Sequence, residues 1–314
     1  MTTTQRRSRR NLWGSLRDFA DQGGFDVPNP LAIVGRTWYV DTINGSNSHS
    51  GLAPDEAFAT VAKALLNVDS YDIISVAGVV KEQVVAPLGV FDVTIVGAGN
   101  RPRQATNNGV ATGGGSCWIS PDAPTAATPL LELIEQGWVV ANILFAPVAA
   151  APCIQLTRAE DAVHPDPSHA SILGCRFAGG GAAGIGIEDS GGCHNVTIED
   201  CIFQSISGTA ILGVAGAGIA TPLMNRYRRN YFNQCANNID IGASHSEFLE
   251  NRMIHTTTNK LKISAGDHNL VIKNVLEDTA ANINHAHGYF GIASDTWRNY
   301  TTDTAADAVA IPTA

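Results

Sequence analysis

The chain has 314 residues, 44% of them apolar, only 16% charged, and 31 of them glycine, which is enough to bury a long core without covalent staples. A formal net charge of -9 argues against nucleic-acid binding by the body of the protein, and no run reaches the roughly 18 apolar residues of a membrane span. The six cysteines at 117, 153, 175, 193, 201 and 235 make no CxxC pair and are too sparse for a disulfide framework, which points to folding in a reducing compartment.

Residues 1–35 read as a basic attachment arm followed by a linker through Val27-Pro-Asn-Pro30. Arg6, Arg7, Arg9 and Arg10 form the basic run. It superficially matches a twin-arginine export signal, but Ser15-Leu-Arg-Asp-Phe-Ala-Asp-Gln-Gly-Gly24 stands where such a signal needs an apolar stretch. Leu12, Trp13, Leu16 and Phe19 recur at helical spacing, predicting a short amphipathic helix that docks on a partner. The alternative is the solvated tail that any basic terminus can form.

Residues 36–71 read as a capping segment: the strand Thr37-Trp-Tyr-Val-Asp41, a turn-rich loop Asn44–Gly51, and Pro54-Asp-Glu leading into a helix over Ala57–Leu66. Proline and acidic residues suit a helix's first turn, and Phe58, Val61, Ala62 and Leu65 share one face. The first coil then uses Asp72–Val76, Gln83–Val85 and Val93–Val96. Between 97 and 138, Trp118/Ile119 and Leu130/Leu131/Leu133 are predicted strands, and Gly113-Gly-Gly-Ser a protruding loop.

From Ile172 to Leu276 a motif of the form apolar-x-x-(Asn/Cys)-x-apolar appears five times: Ile172–Phe177, Ile198–Phe203, Tyr227–Phe232, Phe248–Met253 and Val271–Leu276. A possible upstream copy is Val139-Val-Ala-Asn142-Ile-Leu144, which makes the intervals between starts 33, 26, 29, 21 and 23. Repeats of this size are stacked supersecondary units. Short Ile/Val/Phe runs separated by Gly, Ser, Thr and Asn make them strands. A second strand follows each motif, at Ile154/Leu156, Ile185/Ile187, Ile211, Ile239/Ile241, Leu261/Ile263 and near Ile283. The fold expected is all-β: a right-handed parallel β-helix solenoid over residues 72–285, with an amino-terminal capping helix and arm, and a carboxy-terminal cap and tail over 286–314. Tyr289, Phe290, Trp297 and Tyr300 would close the far end.

Stacking places like residues about 4.8 Å apart. Phe177, Phe203 and Phe232 would then form an aromatic column, Asn142, Asn230, Asn251 and Asn274 an amide ladder at a bend that tolerates left-handed backbone, and Cys175 and Cys201 the same position in two further coils.

The segment WYVDTINGSNSHSGLAPDEAFATVAKAL, then YDIISVAGVV and VFDVTIVGAG, resembles the opening of right-handed parallel β-helix proteins of the pectate-lyase-like superfamily, including those on phage particles. With the coil motifs, the resemblance spans about residues 37–290. It implies the fold; this scaffold carries lyases, hydrolases, esterases and inert fibres alike.

Polysaccharide-cutting members of this superfamily use exposed carboxylates, either paired or holding Ca²⁺. Glu188/Asp189, Glu199/Asp200 and Glu250 are the candidates. Aligning the coils stacks Leu173, Glu199, Arg228, Leu249, Ile272 in one column and Gly174, Asp200, Arg229, Glu250, Lys273 in the next. Acid and base alternate, a pattern of surface charge pairs rather than of a glycosidase pair. His285 and His287 lie on one side of an extended segment and could hold a metal on a threefold axis, but no third ligand accompanies them, so they read as solvent-facing or cap-packing residues. His194, His245 and His268 are expected to decorate one turn. The glycine clusters fit no phosphate loop.

The expected function is a non-enzymatic phage virion protein, a capsid-decoration, head-fibre or tail-associated rod. It is expected to trimerise, to bind capsid or tail proteins through its arm, to assemble in the host cytoplasm and to need no cofactor. The alternative is a tailspike-like protein that binds or depolymerises host surface polysaccharide, by a lyase or glycoside-hydrolase reaction, with Asp189, Asp200 and Glu250 as acids and Trp118, Tyr231 and Trp297 as stacking platforms. A bacterial adhesion scaffold is a third reading.

Overall fold

The computed structural model describes residues 35–99, 104–105, 111–112, 115–146, 151–158, 166–179, 184–213, 222–256, 259–265, 268–277, 294–297 and 300–302. The arm residues Arg6, Arg7, Arg9, Arg10, Leu12, Trp13, Leu16 and Phe19 lie outside them, as do His285 and His287 and the predicted strand near Ile283.

Among the described residues, three parallel sheets run the length of a rod. Sheet A has ten strands, sheet B nine and sheet C seven. Sheet A runs from Thr37–Asp41 and Ile73–Ala77 through Ser171–Leu173, Thr197–Glu199, Arg226–Arg228 and Glu247–Leu249 to Ser294–Trp297. Each coil passes from A to B to C and returns to A one step along the axis. Parallel neighbours within a sheet need such a crossover, and right-handed winding is the hand that strand twist allows. The fold is a right-handed parallel β-helix. Past residue 285, where a cap and tail were expected, Ser294–Trp297 and Tyr300–Thr302 pair in parallel with Asn269–Ile272 and Val275–Glu277, adding strands to sheets A and B.

The interior is built from columns of like side chains. On sheet B, Trp118, Phe145, Phe177, Phe203 and Phe232 stack with ring centroids 5.7, 5.4, 4.7 and 4.8 Å apart and are all fully buried. Trp118 is therefore core and cannot be the exposed platform suggested by its aromatic character. Tyr231 does lie on the outer face, partly exposed.

The upstream repeat is displaced by one residue from the motif alignment. Val140, not Val139, sits beside Ile172, and Phe145 beside Phe177. Asn142 thus falls one place before the amide ladder, where it adopts a left-handed conformation at φ 59°. The same place is taken by Gly174, Asp200, Arg229, Glu250 and Lys273, at φ 51–58°. It is these residues, and not the ladder asparagines, that turn the chain from sheet A into sheet B. Only Gly174 does so without a Cβ penalty.

The predicted single helix divides in two. Pro54–Glu56 is a 3-10 turn, and the α-helix is confined to Val61–Leu65. Between them Phe58 is extended, bridges to Val40 and stacks on Trp38 at 5.9 Å. Thr60 caps the short helix, accepting from Lys63 N at 3.2 Å, while the Glu82 carboxylate accepts from Val61 N and Ala62 N at 2.9 and 2.8 Å. Val61, Ala64 and Leu65 are buried beneath it. Burying Phe58 in the first coil outweighs continuing a helix whose first turn has no buried residue.

Candidate functional site

Three groups of side chains could carry chemistry, and each is positioned by a different part of the coil.

The first is the bend from sheet A to sheet B. Asn230, Asn251 and Asn274 are buried there, and each side-chain oxygen accepts the peptide N–H of the equivalent residue one coil earlier, at 3.0 Å from Cys201, Asn230 and Asn251 in turn. Each amide nitrogen donates to a carbonyl of the preceding coil, Ile198, Tyr227 and Phe248, at 2.9, 2.8 and 2.8 Å. Cys175 and Cys201 occupy the same position with a weaker donor, their thiols reaching the Val140 and Ile172 carbonyls at 3.5 and 3.4 Å. Burial pushes the Cys175 thiol up to about 12 and that of Cys201 well above the ordinary thiol range. Both are inert at neutral pH. All six cysteines are buried thiols.

Outside this ladder lie the surface carboxylates. Arg229 is bonded to Asp200 at 2.8 Å through Nε and also contacts Glu199; Arg228 bonds Glu247 at 3.1 Å; Lys273 reaches Glu250 at 3.3 Å. Hydrogen bonding to Asp200 and the charges of Asp200 and Glu199 raise the Arg229 pKa. Asp200 and Glu250 are thus each engaged by a cation, not facing one another across a cleft. Exposed pairs of this kind contribute little in water and are screened by salt. Arg229→Ala is expected to shift the thermal midpoint only slightly, with the difference vanishing above about 0.5 M salt, where screening lengths fall to a few ångströms; a large, salt-independent loss would contradict the pairing.

The second group surrounds Asp189, at the end of the strand Ile185–Asp189. In register with Leu133 and Leu156, Asp189 faces inward and is only 5% exposed. Its Oδ1 accepts from the peptide N–H groups of Gly191, Gly192 and Cys193 at 3.3, 2.8 and 3.0 Å, and Oδ2 from Cys193 at 3.1 Å. This carboxylate ties the turn from sheet C to sheet A and presents no oxygen for a substrate, contrary to its candidacy as an exposed acid. Beside it, Arg158 Nη1 donates to Gly192 O at 2.9 Å and lies 2.8 Å from His194 Nε2, with Asp166 at 3.7 Å from Nε. His194 therefore belongs to this clamp. His245 and His268 stack on one another at 5.0 Å in the left-handed column that also contains His169, Asn195 and Met224.

That same bend holds a second polar ladder, outside the apolar-x-x-(Asn/Cys)-x-apolar motif. Val196 N donates to Asn225 Oδ1 at 2.8 Å, Asn225 N to Ser246 Oγ at 3.1 Å, and Ser246 N to Asn269 Oδ1 at 3.0 Å. Its signal was an Asn or Ser two residues before the apolar starts Tyr227, Phe248 and Val271.

The third group is the outer face of sheet C, where Val85, Glu132, Gln155, Glu188, Leu212, Asp240 and Lys262 stack in register. Glu132 accepts from Thr157 Oγ1 at 2.7 Å, and Lys262 reaches Asp240 at 3.0 Å. Burial, followed by the adjacent Asp189 charge, raises the Glu188 pKa. Glu132 and Glu188 lie two coils apart, about 10 Å along the axis from two strand spacings. Nothing beside Glu132 in the sequence marks it, because Glu188, its companion on the sheet, is more than fifty positions away. Among the described residues no group of three or more His, Cys, Asp or Glu could hold a metal ion.

No family model and no curated protein matches the chain. Among solved structures it is similar to pectate lyase Bsp165PelA from Bacillus sp. N165 in complex with trigalacturonate, at 12% identity over 91% of this chain and 84% of that one, with a TM-score of 0.51. It is similar also to the pectin methylesterase of Aspergillus niger, at 13% identity over 92% and 93% of the two chains and a TM-score of 0.47. A third likeness is to PfbA, a surface adhesin of Streptococcus pneumoniae, at 11% identity over 85% and 70% and a TM-score of 0.48. At such identities the likeness concerns the fold alone: this is a right-handed parallel β-helix of pectate-lyase-like architecture.

Proposed function

We propose that the protein is a non-enzymatic structural rod of a phage particle, trimeric and attached to capsid or tail proteins through its basic arm. The observation that carries the structural half is the state of the candidate acids: Asp200 and Glu250 are each bonded to a cation, and Asp189 is folded into the core as a turn clamp. The virion half draws its support from the resemblance of residues 38–99 to the opening of pectate-lyase-like β-helix proteins, those on phage particles among them, and from the arginine run. A rod whose candidate surface acids are paired with cations and whose buried asparagines are bonded from coil to coil suits a particle exposed to an uncontrolled environment. The test is removal of residues 1–20. Loss of incorporation into purified particles with the oligomer mass unchanged is the expected result; normal incorporation would overturn attachment through the arm.

One observation favours a second reading, polysaccharide binding or cleavage: the face of sheet C presents Glu132 and Glu188 in the same outward column, with Glu188 held toward its protonated form. An inverting glycosidase uses one raised carboxyl as general acid and a second carboxylate as base; here the two stand on one face with Gln155 between them. Release of oligosaccharide from host surface polysaccharide, abolished by Glu188→Gln, would establish this reading in place of the first.

A further inference from the structure

The described residues leave a patch of large apolar side chains exposed at the amino-terminal end of the rod. Tyr71, Leu88 and Phe91 are 42%, 68% and 40% exposed. Tyr71 and Phe91 meet edge to face at 6.0 Å, and their backbones join through Tyr71 N to Phe91 O at 3.1 Å, with Phe91 N held by Ser70 Oγ at 3.1 Å. Leu66, at the end of the capping helix, is 82% exposed five residues before Tyr71. Single exposed apolar residues need no explanation, but a rigid pair with neighbours does.

We infer that this patch is the seat of the chain's own arm, with Leu12, Trp13, Leu16 and Phe19 packed on Tyr71, Leu88 and Phe91. Three observations identify the occupant. The first is where the chain enters the rod. Gly35 lies so close to the Tyr71 backbone that a Cβ there would stand 2.2 Å from the Tyr71 carbonyl oxygen, and Arg36 N is bonded to Asp72 Oδ1 at 2.5 Å. The arm therefore starts at the edge of the patch. The second is reach: from Phe19 to Gly35 is 35 − 19 = 16 residues, up to about 50 Å of extended chain. So short a tether gives an effective concentration in the millimolar range, so a weak apolar contact suffices.

The third is charge. Asp69 and Asp92 are exposed at the rim and Glu135 accepts from Gly89 N at 2.8 Å, against Arg36 as the cation beside the exit point. Residues 1–20 bring Arg6, Arg7, Arg9, Arg10 and Arg17 against Asp18 alone. A stripe of four apolar residues on a short helix is marginal in water and gains its order by packing. Docking here would plant the arginine run at the blunt end of the rod, whether or not the rod belongs to a particle.

The test uses the full chain carrying Ser15→Cys and Leu88→Cys; the six native thiols are buried and do not compete. Under mild oxidation of mixed isotopically light and heavy chains, the expected product is a cross-link within one chain, forming at least tenfold faster than in a Ser15→Cys/Thr125→Cys control. Adding Tyr71→Ser and Phe91→Ser should bring that rate down to the control's. A rate equal to the control's, or light–heavy products showing that a second copy covers the patch, would overturn the proposal. Should the quadruple variant fold poorly, hydrogen exchange of the unmodified protein decides: residues 9–19 should exchange at least tenfold more slowly than an unstructured peptide, and unprotected exchange there would overturn it equally.

Discussion

Asn251→Leu is expected to destabilise the rod by about 3–5 kcal/mol, the largest effect of any single polar substitution in the A-to-B bend. Leucine matches asparagine in shape, so the change isolates the hydrogen bonds from the packing. It removes the acceptor of the buried Asn230 N–H, at 3.0 Å, and of the Asn230 amide, at 3.1 Å. It also removes the donor to Tyr227 O at 2.8 Å and to Asn274 Oδ1 at 2.9 Å. An orphaned buried donor costs roughly 1–3 kcal/mol, and each further bond lost roughly 0.5–1.5 kcal/mol. Because a solenoid couples only neighbouring coils, the loss should be local. Hydrogen exchange should accelerate around residues 226–232 and 270–276 and remain unchanged around Ile74 and Ile95. A midpoint shift equivalent to less than about 1 kcal/mol would mean that the ladder is ornamental and that apolar stacking alone holds the coils.

The second large effect concerns Asp189. Asp189→Ala should cost about 3 kcal/mol, since the peptide N–H groups of Gly191, Gly192 and Cys193 lose their acceptor inside an otherwise apolar column. Asp189→Asn should cost less at neutral pH and change the pH dependence. Burial raises the Asp189 pKa against the opposing pull of its backbone hydrogen bonds, and the net shift is upward. Glu188 is raised as well, by burial and by the charge of Asp189. An acid whose folded pKa is raised contributes stability that is fully present below its unfolded value, about 3.9 for aspartate and about 4.3 for glutamate, and is lost as pH rises through the folded value. The natural protein should therefore gain stability relative to Asp189→Asn as pH falls from neutral toward about 3.9, measured as the difference between their denaturant midpoints at each pH. Parallel pH profiles would show that Asp189 titrates no differently folded than unfolded.

The three candidate acids Asp189, Asp200 and Glu250 illustrate what linear patterning conveys. Asp200 and Glu250 were legible as one surface column because every coil repeats the same motif at the same bend. Their pairing with Arg229 and Lys273 follows from stacking like positions. Asp189 was not legible, because it ends a strand of sheet C, where the spacing to the next motif varies. Nothing in Ile-Glu-Asp-Ser tells whether the aspartate points out or closes a turn. The one-residue shift at Val140 has a different origin: Asn142 fits the motif only in the frame that starts at Val139, whereas the coil is aligned on Val140, which puts Ile143 at the ladder position. The inward placement of Phe145 beside Trp118 and Phe177 decides the frame against the motif.

The amino-acid order alone determined the solenoid, its strand period, the aromatic column from Phe177 to Phe232 and the amide ladder from Asn230 to Asn274, because each is a repetition, and stacked repetition needs no knowledge of distant contacts. The tertiary structure decided what lies between the repeats: that Trp118 is core, that Phe58 leaves the helix for the first coil, that Glu132 and Glu188 share a face, and that the arm leaves the rod beside an exposed Tyr71–Phe91 pair. These depend on which residues far apart in the chain compete for the same buried space and the same backbone hydrogen bonds, and that competition is resolved only when the coils close.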